Sequence, residues 1–175
     1  MLAIFKRELR SCFHGMIGAV LTAFMLAATA IYFVALNLGY GLPDFGYYTL
    51  YRTIFVLLLY IPVLTMRSFA EERHSRTDQL LLTSPVSIPA IVAGKFLAEV
   101  AVFALPLAAA VLMPLILKAF GTVSLVAAYS AVLGYLLLGS ACLAVGTWIS
   151  ALTENQILAY LATFGALLVA YIMDG

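Results

Sequence analysis

The chain has 175 residues, of which 65% are hydrophobic and 10% charged, with a mean hydropathy of +1.12; these values exclude a soluble globular domain and assign an integral membrane protein. A net charge of +1, with no basic run interleaved with stacking aromatics, gives no basis for nucleic-acid binding. The two cysteines, Cys12 and Cys142, lie far apart in the chain and exclude a disulfide framework.

From Met1 to Phe13, Leu2, Phe5, Leu9 and Phe13 share one helical face while Lys6, Arg7 and Arg10 lie elsewhere. That is the pattern of a short helix lying in the headgroup plane with its basic face against anionic lipid. A basic start before an apolar run also has the outline of a secretion signal. The run is long enough to span, however, and its best cleavage candidate, Ala27-Ala28-Thr29-Ala30, falls inside it.

Crossing about 30 Å of hydrocarbon takes about 20 mostly apolar residues, and the sequence predicts five such runs, at 16–38, 51–66, 90–117, 124–149 and 156–173. The second is the shortest and weakest. None alternates apolar with polar, so all five are predicted as helices rather than barrel strands, and the fold class is an all-α polytopic membrane protein. Repeated small residues (Gly15, Ala19, Ala23 and Ala27; Gly139, Gly146 and Ser150; Ala162, Ala166 and Ala170) allow close helix contact, within the bundle or between subunits. Pro62, Pro106 and Pro114 remove backbone donors and are expected to kink or unwind their helices. Tyr32, Tyr40, Tyr47, Tyr48 and Tyr51 read as an aromatic belt at the outer interface.

Between the second and third runs lies a polar island, Arg67 to Ser87. Six of the seventeen charged residues fall in it: Arg67, Glu71, Glu72, Arg73, Arg76 and Asp78. Ser68 is placed to cap a helix with Glu71 and Glu72 in its first turn. A second short helix is predicted from Ser75 or Thr77 through Leu82, stopping before Pro85. With the N-terminus in the cytoplasm, Lys6, Arg7, Arg10, Arg67, Arg73, Arg76 and Lys95 are inside, and Arg52 and Lys118 outside. That bias sets the expected orientation and makes the island cytoplasmic.

Few constellations carry chemistry. No glycine is followed by the Lys-Ser/Thr pair of a phosphate loop, so the chain is not expected to bind and split ATP alone. His14 and His74 are isolated, and Cys12-x-His14 is half a metal site; no metal or other cofactor is expected on this chain. An intramembrane enzyme would need a Ser/His, paired-aspartate or metal constellation at membrane depth, and none is visible. Two readings stand for Lys95 and Glu99, one helical turn apart in the third run. They form an i,i+4 ion pair in the less favourable order, or they make an intramembrane polar site on a transport path. Thr153 and Gln156 fit a capping box opening the fifth helix.

Phe69-Ala-Glu-Glu-Arg-His-Ser-Arg-Thr-Asp-Gln-Leu-Leu-Leu-Thr-Ser-Pro-Val-Ser87, followed by Gly94-Lys95-Phe96, resembles the cytoplasmic segment between the second and third spans of type-two ABC exporter permeases. Phe5-Lys-Arg-Glu-Leu-Arg10 resembles the family's N-terminal interfacial helix, and Ser150-Ala-Leu-Thr-Glu-Asn-Gln156 its inward turn between the fourth and fifth spans. The nearest likeness is to permeases of gliding-motility and nitrous-oxide-reductase-maturation systems. Arg76 departs from the pattern, standing where members commonly have Gly.

The resemblance implies a single permease domain over residues 1–175, with a coupling helix inside 67–87. It implies ATPase-coupling contacts from Glu71, Glu72, Arg73, Arg76, Thr77 and Asp78, a separate cytoplasmic ABC ATPase subunit that supplies ATP, and a permease homodimer or heterodimer in the inner (plasma) membrane. Members usually have six spans, whereas this sequence shows five. A membrane complex that transmits ATPase force without transport, and an ATP-independent channel or carrier, are the alternatives left open.

Overall fold

The computed structural model describes residues 2–14, 16–68, 88–120 and 123–174, and all regular structure among them is helical. Helix α1 (Leu2–His14) precedes five helices long and apolar enough to cross a membrane: Gly18–Gly39, Gly46–Thr65, Pro89–Phe120, Leu125–Leu152 and Gln156–Met173. The chain is an all-α polytopic membrane protein. The island's residues 69–87, with both short helices expected there, lie outside the described residues.

The first span is α2 (Ile17–Tyr32), continued by a π-helical segment, Phe33–Gly39. Met16, at φ 56°, turns the chain from α1 into α2. A left-handed conformation costs a non-glycine residue about 1–2 kcal/mol. The turn lets α1 fold back on the bundle, and at the contact a Cβ on Gly18 would sit 2.9 Å from the Cys12 carbonyl oxygen.

The second span starts at Gly46, five residues before the predicted run. Its first turns, Gly46–Tyr51, are π-helical and lead into α3 (Arg52–Thr65). The two π-helical segments are joined by polar groups. Thr49 donates its hydroxyl to the Asn37 side-chain oxygen, and Asn37 Nδ2 donates to the Leu42 carbonyl at 2.7 Å. Both side chains are buried. Tyr47 stacks on Tyr51 with ring centres 5.7 Å apart and meets Tyr48 edge-on.

The third span is broken. Helix α4 (Ile88–Ala110) gives way to a turn at Val111 and Leu112, then α5 (Met113–Phe120). Pro114 is the reason, because it has no N–H for the Ala110 carbonyl and its ring would clash there. The Leu112 N–H bonds three residues back, to Ala109, as the turn tightens. Pro62 and Pro106, by contrast, lie within continuous helix.

Helix α6 (Leu125–Leu152) is the fourth span and α7 (Gln156–Asp174) contains the fifth. The expected capping box at Thr153 does not form. Asn155 accepts the Ile157 N–H at 3.0 Å instead, while the Thr153 hydroxyl is buried without a partner. The physical reason is register: α7 begins at Gln156, so the residue before it takes the cap, and Thr153 lies two positions too early.

The core is centred on Phe103, which lies 5.9 Å from the Tyr60 ring and 6.0 Å from the Tyr135 ring. Gly139 faces the Phe103 ring and Gly146 faces Thr65, and a Cβ on either would collide with those side chains. The small face of the fourth span is therefore packed inside the bundle. Ala19, Ala23 and Ala27 on the first span and Ala162, Ala166 and Ala170 on the fifth are exposed on its surface.

Candidate functional site

Four of the described charged residues, Glu8, Arg67, Lys95 and Glu99, come together where α1 meets the ends of α3 and α4. Lys95 is buried in the first turns of α4, with only 2% of its side chain exposed. In lipid such a residue survives only with close oxygen partners. It has two on other elements: the Ser68 carbonyl at 2.5 Å, just beyond the end of α3, and Glu8 Oε1 on α1 at 3.8 Å. Glu8 is 20% exposed and also lies 3.7 Å from Arg7, a surface arginine.

Glu99 stands one turn beyond Lys95 on α4 and is buried, at 6% exposure. Lys95 and the Ser68 side chain both face its carboxyl, yet neither Glu99 oxygen completes a hydrogen bond of ordinary geometry. Glu8, Cys12, Arg67, Ser68, Lys95 and Glu99 border a cavity of about 70 Å³, large enough to admit water. Cys12 forms part of its α1 wall. Burial, reinforced by the Glu8 and Glu99 charges, pushes the Cys12 thiol above its ordinary value, against the pull of Arg67 and Lys95.

The spacing of Lys95 and Glu99 shows that the two share a face. It does not show that the ammonium is directed to α1 and to the exit of the second span. Glu8 was the available signal, as the sole acid within Leu2–His14. Of the residues expected to couple to an ATPase, Glu71, Glu72, Arg73, Arg76, Thr77 and Asp78 all lie outside the described residues. Arg67 and Ser68, which lead into them, border the Lys95 cavity. What this arrangement can do is mechanical and electrostatic: one ammonium fastens three elements at the point where the chain leaves the second span.

A second cavity, of about 610 Å³, lies between the second, fourth and fifth spans and is bordered by Tyr51, Leu58, Leu138, Cys142, Leu167 and Tyr171. Its walls are mostly apolar and gather no charged group. Among the described residues no cluster of three His, Cys, Asp or Glu side chains is placed to hold a metal ion.

A family model described as ABC-2 family transporter protein matches residues 16–173. No curated protein and no solved structure matches the chain.

Proposed function

Because the chain belongs to the ABC-2 transporter family, as a membrane permease component, we propose that it couples ATP hydrolysis on a separate ABC ATPase subunit to export of a substrate. In this reading the chain sits in the inner (plasma) membrane with its N-terminus in the cytoplasm, and residues 67–87 receive the ATPase. Two permease copies, identical or related, rock between inward and outward shapes as the ATPases close. The likeness of 69–87 to permeases of gliding-motility and nitrous-oxide-reductase-maturation systems gives the finer affiliation.

The observation that carries the reading is the attachment of Ser68. Its carbonyl is held by a buried lysine that also reaches α1, so a push on the segment beginning at residue 69 is delivered to three elements at once. A loosely attached surface loop would absorb the same push. Glu71, Glu72, Arg73, Arg76 and Asp78 supply charges that set the register and orientation of a docked subunit more than its raw affinity.

The test is co-purification of the ATPase with a Glu71→Lys, Glu72→Lys double variant. The expected result is loss of the ATPase with the thermal unfolding midpoint of the bundle unchanged. Full retention of the ATPase on the double variant overturns the docking assignment.

A further inference from the structure

The cleft of about 610 Å³ between the second, fourth and fifth spans has a buried floor and an exposed rim. Leu57, Leu58, Ile61 and Leu167 are each no more than 6% exposed, whereas Leu138 and Ile172 are 42% and 66% exposed. All of them lie within the spans, so the open side meets hydrocarbon rather than water. An apolar hollow in that setting does not stay empty, because its lining would forfeit dispersion contacts on one side.

The length of the cleft selects its occupant. Along the second span it runs from Tyr51 to Ile61, which at about 1.5 Å per residue is about 15 Å. That is half of the about 30 Å hydrocarbon thickness, the reach of one acyl chain from one leaflet. The Tyr51 end is the interfacial one, where Tyr51 stacks on Tyr47 and Tyr171, its ring 6.5 Å from Phe55, borders the cleft from the fifth span. Arg52 opens α3 at this level and is exposed. It shares a helix face with Phe55, three residues on, and so stands on the side that meets Tyr171. An arginine there suits a lipid phosphate, since its planar fork offers two donors to two oxygens. An anionic headgroup fits better than a zwitterionic one, which brings an ammonium of its own.

We propose that the cleft is a binding site for one anionic phospholipid, with an acyl chain laid between Leu58, Leu138 and Leu167 and the headgroup phosphate on Arg52. In the orientation proposed above, the lipid belongs to the outer leaflet. Held there, it braces the second span against the fourth and fifth. The site does not depend on ATPase docking, and loss of the ATPase leaves each outcome below unchanged.

Photolabelling of the full chain in mixed vesicles of phosphatidylglycerol and phosphatidylcholine tests it. A phosphatidylglycerol with a diazirine at the end of its acyl chain is expected to mark the peptides holding Ile61 and Cys142. Labelling there should be several-fold above that of the peptide holding Leu105, an exposed residue midway along the third span. Ala170→Phe, at an exposed position bordering the cleft, and Cys142→Phe each fill the hollow and are expected to abolish the preference. Arg52→Gln is expected to weaken competition by unlabelled phosphatidylglycerol about fivefold, the contribution of one basic residue beside an anionic lipid surface. Competition by phosphatidylcholine should not change.

Even labelling of the three peptides in the parent chain overturns the site whether or not the filled variants fold. Labelling that survives both fillings overturns it too. Undiminished competition in Arg52→Gln overturns the headgroup contact and the preference for an anionic lipid. An unlabelled cleft in a dimer that both fillings break gives the site to a second copy of the chain and overturns the proposal equally.

Discussion

Cys12 illustrates how a residue with an ordinary side chain acquires an unusual environment. On the apolar side of α1, it takes one wall of a cavity whose other walls carry Glu99 and Lys95. Burial and two nearby carboxylates keep its proton on, and the thiolate is the reactive form. In a Cys142→Ser protein, alkylation at neutral pH is therefore expected to be slower than for an unhindered thiol. Its rate is expected to keep rising with pH beyond the ordinary thiol value of 9.0, and a rate against pH curve that levels off below 9.0 contradicts the assignment. None of this environment is legible around residue 12, because it depends on the turn at Met16 that folds α1 back on the bundle.

Among the elements, α6 shows which small residues a sequence can interpret and which it cannot. Gly139 and Gly134 look alike in the chain, yet a Cβ at 139 would strike the Phe103 ring while one at 134 meets nothing within 4 Å. Phe103 is fully buried between two tyrosine rings. Gly139→Ala is expected to destabilise the bundle by about 1–3 kcal/mol through overpacking. Gly134→Ala is expected to be neutral or to gain up to about 1 kcal/mol from helix propensity. Thermal unfolding in detergent separates the two, and equal effects would refute the packing. The spacing of Gly139, Gly146 and Ser150 was enough to identify a packed face. For the alanines of the first and fifth spans the same periodicity marks the bundle surface instead, because periodicity defines a face without saying what covers it. At Thr153 the motif was misleading, since a capping box is defined relative to where the helix starts and Asn155 is the residue before α7.

For the whole molecule, five spans and their order were legible because the length needed to cross lipid is fixed. The weakest run was the second, with the lowest mean hydropathy, 1.5, against 1.8–2.6 for the others. It is also the most enclosed: 56% of its apolar window is buried, against 17% for the fifth. Both facts have one cause, since a helix surrounded by other helices need not match lipid and accommodates Thr49, Thr53, Tyr60 and Thr65. The centre of this arrangement is Phe103. Phe103→Ala is expected to cost about 3–5 kcal/mol, read as a lowered unfolding midpoint. Ile172→Ala, at a residue 66% exposed, is expected to stay within about 0.5 kcal/mol of the parent. Similar losses at both positions would show that the core is not where these contacts put it. The second span's hydroxyls also bear on biogenesis. Thr53 and Thr65 donate to carbonyls of their own helix, and Thr49 donates to Asn37 on the span made before it. These three bonds therefore need nothing from the chain still to be synthesised, so the first two spans can close as a hairpin while the ribosome is still making the later ones.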